Sequence, residues 1–76
     1  MDLHTFIEEK LNYYAQKIIS GGKKTDEMAV GEITFYTALR RVLDGQGTLQ
    51  DVGMMDAIND LLQEKGLVEA GHTFYK

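Results

Sequence analysis

The sequence predicts a mainly α fold, a three-helix bundle followed by a short C-terminal β-hairpin or extended tail. Three observations carry this expectation. Apolar side chains recur at three- and four-residue steps through three stretches, glycines at 21–22, 45 and 66 separate them, and the helical period breaks only in the last ten residues. The 76 residues hold no linker and no repeat, and they leave no room for a second core. The expected organisation is one domain over 1–76, with helices near 2–20, 26–44 and 49–65 and the hairpin or tail over 67–76.

The first helix places Leu3, Ile7, Leu11, Tyr14 and Ile18 on a single stripe, widened by Phe6. Asp2 is placed to cap its start, and Thr5 with Glu8 offers a second capping pair. Gly21-Gly22 is expected to stop it by entering the left-handed region. The second helix is expected to begin after Thr25 as N-cap, with Asp26 and Glu27 at the positive end of the helix dipole. Met28, Phe35, Ala38, Leu39, Val42 and Leu43 form its broad apolar face, and Val30, Ile33 and Tyr36 extend around the side. Arg40 and Arg41 complement its negative end, and Gly45 closes it. The third helix opens at Thr48, with Asp51 three residues on as a capping partner, and buries Leu49, Val52, Met55, Ile58, Leu61 and Leu62. Gly66 is its expected C′ residue, with Leu67 folding back on Leu62. Beyond it, 67–70 and 73–76 flank Gly71-His72 and read either as a tiny hairpin on a type II′ turn or as a tail that docks Phe74 and Tyr75.

Composition removes several function classes. The chain has no Cys, which excludes disulfides, thiolate metal sites and a cysteine nucleophile. No Pro, 43% hydrophobic and 26% charged residues describe a folded domain rather than a disordered one. No apolar run is long enough to span a membrane, and the acidic opening MDLHTFIEEK does not resemble a secretory or transit signal, so the expected location is the cytoplasm. A net charge of −4 disfavours a dedicated nucleic-acid binder, which releases counterions with a basic face.

Catalysis finds no constellation. There is no Gly-x-Ser-x-Gly elbow, and Gly21-Gly22-Lys23-Lys24-Thr25 has the residues of a phosphate loop at the wrong spacing and after a helix. His4 and Glu8 share a helical face, but a zinc helix pairs two histidines and adds a third ligand, so no metal and no cofactor are expected.

Binding is the remaining class. Tyr13, Val30, Ile33, Tyr36, Phe74 and Tyr75 exceed what one small core needs and are the candidate protein interface. Asp51, Asp56, Asp60 and Glu64 line the third helix as a candidate acidic docking face, the plainer reading being an ordinary solvated side. Lys23, Lys24, Arg40 and Arg41 are the only paired basic residues, and they would carry nucleic-acid contact under an alternative reading.

The order helix, helix, helix, short hairpin resembles a trimmed winged-helix domain. The stretch Leu61-Leu62-Gln63-Glu64-Lys65-Gly66-Leu67-Val68-Glu69 is similar to that family's junction between recognition helix and wing. The resemblance covers about the last third of the chain and implies a DNA reader or a protein-binding variant. Asp51, Asp56, Asp60 and Glu64 stand where that family would present helix 3 to DNA, and the tail is shorter than a full wing.

The expected function is therefore a non-catalytic protein-interaction module, self-associating as a homodimer through helix 2 and the tail. Its size suits an accessory or regulatory factor, such as those of phages and mobile elements. The alternative is a small helix-turn-helix or winged-helix-like DNA-binding regulator.

Overall fold

The computed structural model describes the backbone of residues 2–75 and the side chains of all of these except 23–25. It contains α1 (Leu3–Ser20), α2 (Lys23–Leu43) and α3 (Leu49–Glu64), with α1 and α3 each packed against α2. No strand occurs among the described residues.

Each helix start tests a cap. Asp2 Oδ1 accepts the Thr5 N–H at 2.8 Å and opens α1 as expected. The expected start of α2 is displaced: it begins at Lys23, with Gly22 as an N-cap that lends no side-chain hydrogen bond. Thr25 lies inside the first turn, so the helix extends back almost to α1 and leaves a connection of two glycines. Those glycines are extended, with φ of −97° and −88°, and do not enter the left-handed region. At α3 the capping box is complete, Thr48 Oγ1 accepting the Asp51 N–H and Asp51 Oδ2 accepting the Thr48 N–H, each at 3.0 Å.

Glycine ends α2 and α3 in the same way. Gly45 and Gly66 both sit at φ 73°, a conformation that costs an L side chain steric strain. At the second, Leu67 N–H donates to the Leu62 carbonyl at 2.8 Å and Gly66 N–H to that of Gln63 at 3.0 Å, the paired bonds of a Schellman ending. Leu67 itself stays 74% exposed, so the motif is held by its hydrogen bonds and not by apolar contact.

The tail is not a hairpin. His72 N–H donates to the Glu69 carbonyl at 3.0 Å, closing a turn in which Gly71 is the third residue with φ 83°. That is the requirement of a type II turn, one register earlier than the type II′ turn expected from Gly71-His72. Side chains of α3 then satisfy the tail backbone where a partner strand would have done so. Asn59 Nδ2 donates to the His72 carbonyl at 2.9 Å, Asn59 Oδ1 accepts the Phe74 N–H at 2.8 Å, and Gln63 Nε2 donates to the same His72 carbonyl at 2.9 Å. Lys76, which the expected hairpin included, lies outside the described residues.

The core sits at one end of the molecule. Ile7, Ala38, Leu39, Met55 and Tyr75 are buried together, with Leu3, Leu11, Phe35, Tyr36, Val42, Leu43, Ile58 and Phe74 packed around them. Among the described residues between Glu8 and Thr37, only Ala29 is buried. The radius of gyration is 13.8 Å, against about 11 Å for a compact chain of this length, and the molecule measures 41 × 27 × 25 Å. It is a closed end with an arm, the arm being the far half of the α1–α2 hairpin.

Candidate protein-interaction surface

A ledge of aromatic rings runs along one side of α1 and α2, from Phe6 and Tyr36 beside the core out to Tyr13 on the arm. Tyr14 stacks on Tyr36 across the two helices, with centroids 6.4 Å apart and planes 17° from parallel. Phe6 meets Tyr36 in an edge-to-face arrangement at 6.0 Å, and Tyr13 stands edge-on to Tyr14 at 5.1 Å. Such offset and edge geometries suit the ring quadrupoles and fix the rings against one another. Lys10 Nζ lies 5.5 Å from the Phe6 centroid and 5.9 Å from that of Tyr14, and Lys17 Nζ lies 5.3 Å from Tyr13.

Two open hollows flank this row. One, of about 380 Å³, is lined by Phe6, Glu9, Lys10, Tyr13 and Tyr14. The other, of about 280 Å³, is lined by Tyr13, Tyr14, Lys17, Met28, Ala29 and Glu32. They share the two tyrosines. Partial burial, followed by the neighbouring Glu32 carboxylate, pushes the Tyr14 phenol above its usual range, so it stays a neutral donor at ordinary pH.

The six expected interface residues are not brought together. Tyr75 is buried, and Tyr36 and Phe74 pack onto the core. Tyr13 and Val30 are 52% and 54% exposed, and Ile33 is half-buried. Val30 follows Met28 by two residues, about 200° around the helix, so it leaves α2 on the side away from the ledge. Phe6, Tyr14 and Met28 are the ledge residues that the expected set missed. Phe6 and Tyr14 fall on the α1 core stripe and Met28 on that of α2, and a stripe does not show where its neighbour ends.

The expected acidic row on α3 is divided by its own bonds. Asp51 is 6% exposed and turns inward, accepting Arg41 Nε at 2.7 Å and Arg41 Nη2 at 2.8 Å. That guanidinium and the Thr48 N–H hold its carboxyl well below the usual carboxylate range. Asp56 accepts the Tyr75 hydroxyl at 2.6 Å, which, with burial, raises the Tyr75 phenol above its usual value. Asp60 and Glu64 remain exposed.

The basic pairs are also separated. Arg40 Nη1 donates to Glu8 Oε1 at 2.7 Å and Arg41 is held by Asp51, while the Lys23 and Lys24 side chains lie outside the described residues. His4 Nε2 is 3.1 Å from Asp44 Oδ1, so His4 and Glu8 each face a different partner at the end of α2. Among the described residues no three His, Cys, Asp or Glu side chains are placed to hold a metal ion, and no helix is long and apolar enough to cross a membrane. Compared with known proteins, the chain matches no family model, no curated protein and no solved structure.

Proposed function

We propose that the chain is a non-catalytic protein-interaction module, an accessory or regulatory factor that presents the α1–α2 ledge to a protein partner. The observation that carries this reading is the gathering of Phe6, Tyr13 and Met28 on one side of the α1–α2 hairpin, 38%, 52% and 63% exposed. Exposed aromatic and methionine side chains with flanking charges make a surface that gains by excluding water. The ring stack holds the two helices together beneath it, so the contact surface is formed before any partner arrives.

DNA binding through α2 and α3 is the second reading, and it has less support. Arg40 and Arg41 already serve carboxylates within the chain, and freeing either would expose an unpaired Glu8 or Asp51. Catalysis would need an enclosed site, and both hollows on the ledge are open to solvent.

A photo-crosslinking side chain at position 6 or 28, and at Gln50 on α3 as control, tests the module in cells producing the chain. The expected result is a discrete protein adduct from positions 6 and 28 that excess unmodified chain suppresses. Equal labelling from all three positions, or none from the ledge, would overturn the proposal.

A further inference from the structure

The charges on α1 bear on which partner the ledge suits. Glu9 and Lys17 are exposed, lie four residues on either side of exposed Tyr13, and share its stripe along the helix. Neither makes an ion pair among the described residues, whereas His4 and Glu8, one turn apart on the same helix, both reach across to α2. A two-fold axis through Tyr13 and perpendicular to α1 lays a second α1 antiparallel on the first. It brings Tyr13 onto its own counterpart and sets Glu9 of each copy opposite Lys17 of the other. A surface whose positive and negative ends exchange under a two-fold is complementary to itself, as an isologous interface requires.

Resting on the interaction reading above, we infer that the ledge docks a second copy of this chain, α1 against α1 antiparallel about Tyr13, with two reciprocal Glu9–Lys17 pairs. The stripe from Phe6 to Lys17 is about 17 Å long, which gives a small contact, so the dimer is a weak and reversible one.

Reversal of the charges tests this directly. Glu9→Lys alone opposes lysine to lysine at both pairs, and Lys17→Glu alone opposes glutamate to glutamate. The double variant restores both pairs with the signs exchanged. An equimolar mixture of the two single variants restores them as well, because every pair in the mixed dimer is lysine against glutamate. Sedimentation velocity across about 5–500 μM, the range set by a small interface, reads the result. The expected result is a wild-type mass rising from 8.6 kDa towards twice that value. Each single variant should associate about tenfold more weakly, and the double variant and the mixture should recover. Helical circular dichroism of each variant shows that the exposed substitutions leave the fold intact. A wild type that stays monomeric throughout overturns the second-copy inference while leaving the interaction reading to the crosslinking result. Single variants that dimerise as tightly as the wild type overturn the Tyr13-centred geometry.

Discussion

The two ends of this molecule solve opposite problems with the same helices. At the closed end, where α1 begins, α2 ends and α3 packs against it, charged and amide side chains pair across elements. Asp51 holds Arg41 and caps α3, Glu8 holds Arg40, and Asn59 satisfies the tail on both sides of Thr73. Along the arm, α1 and α2 have only each other, and rings and lysine stems cover the seam while Tyr13, Ile19, Met28 and Val30 stay exposed. A chain of this length has apolar side chains for about one core. Concentrating them at one end leaves the other with surface to offer.

The largest contrast is between two methionines. Met55 is fully buried among Ile7, Leu39 and Tyr75, whereas Met28 is 63% exposed on the ledge. Met55→Ala should cost about 2–5 kcal/mol through lost transfer energy and the cavity left behind. Met28→Ala should change stability by no more than about 0.5 kcal/mol. Urea unfolding of both variants decides it, and equal losses would erase the distinction between the two ends.

Asp51→Asn should come next, because it removes the charge that Arg41 and the Thr48 N–H both address. The folded-state pKa of Asp51 is depressed below 3.8, so its contribution is present above that pH and is lost as pH falls below it. The variant should therefore melt well below the wild type at pH 7, with the gap closing as the pH is taken under 3.8. A gap that persists undiminished in acid would mean that the side chain acts by shape and not by charge.

How much of this was legible in the sequence follows from the range of each interaction. The α1 stripe, the Asp2 cap, the Thr48–Asp51 box and the Gly66 ending depend on residues within about one turn of one another, and the three-helix fold follows from them. The α2 start was misread because Thr25 is a good cap in isolation, while two extended glycines allow the helix to begin earlier. The tail was misread because Asn59 and Gln63 stand 13 and 9 residues from the His72 carbonyl that they satisfy, and nothing local announces such a bond. The candidate surface was half legible. Tyr13 was visible as a spare aromatic on an exposed helical face, but Tyr36, Phe74 and Tyr75 look equally spare until tertiary packing takes them in.

The tail sharpens the comparison from the closed end. Tyr75→Phe removes the hydroxyl bonded to Asp56 while keeping the ring buried, and it should cost about 1–2 kcal/mol. Because the folded-state pKa of this phenol is raised, its contribution is complete below pH 10.0 and fades as pH climbs through the higher folded value. Hydrogen exchange at the Phe74 amide should quicken in the variant while amides of the α1–α2 arm keep their wild-type rates. Faster exchange along the arm as well would show that the two ends open as one unit.

The smallest effect probes the arm itself. Gly31 lies within α2, and a methyl group there would meet nothing within 4 Å. Gly31→Ala should stabilise the helix by about 0.5–1 kcal/mol, chiefly by narrowing the unfolded ensemble. Where that gain is seen depends on how the arm opens. If the arm unfolds only together with the core, the substitution raises the urea midpoint and slows exchange everywhere by one common factor. If the arm opens first, exchange slows between about residues 18 and 31 while the global midpoint moves less than the local protection. The packing favours the second outcome, since beyond Tyr14 the two helices share one buried side chain, Ala29, and no ion pair among the described residues. The part of the contact surface that a separately opening arm carries, around Tyr13 and Met28, would then be steadied by whatever docks on it.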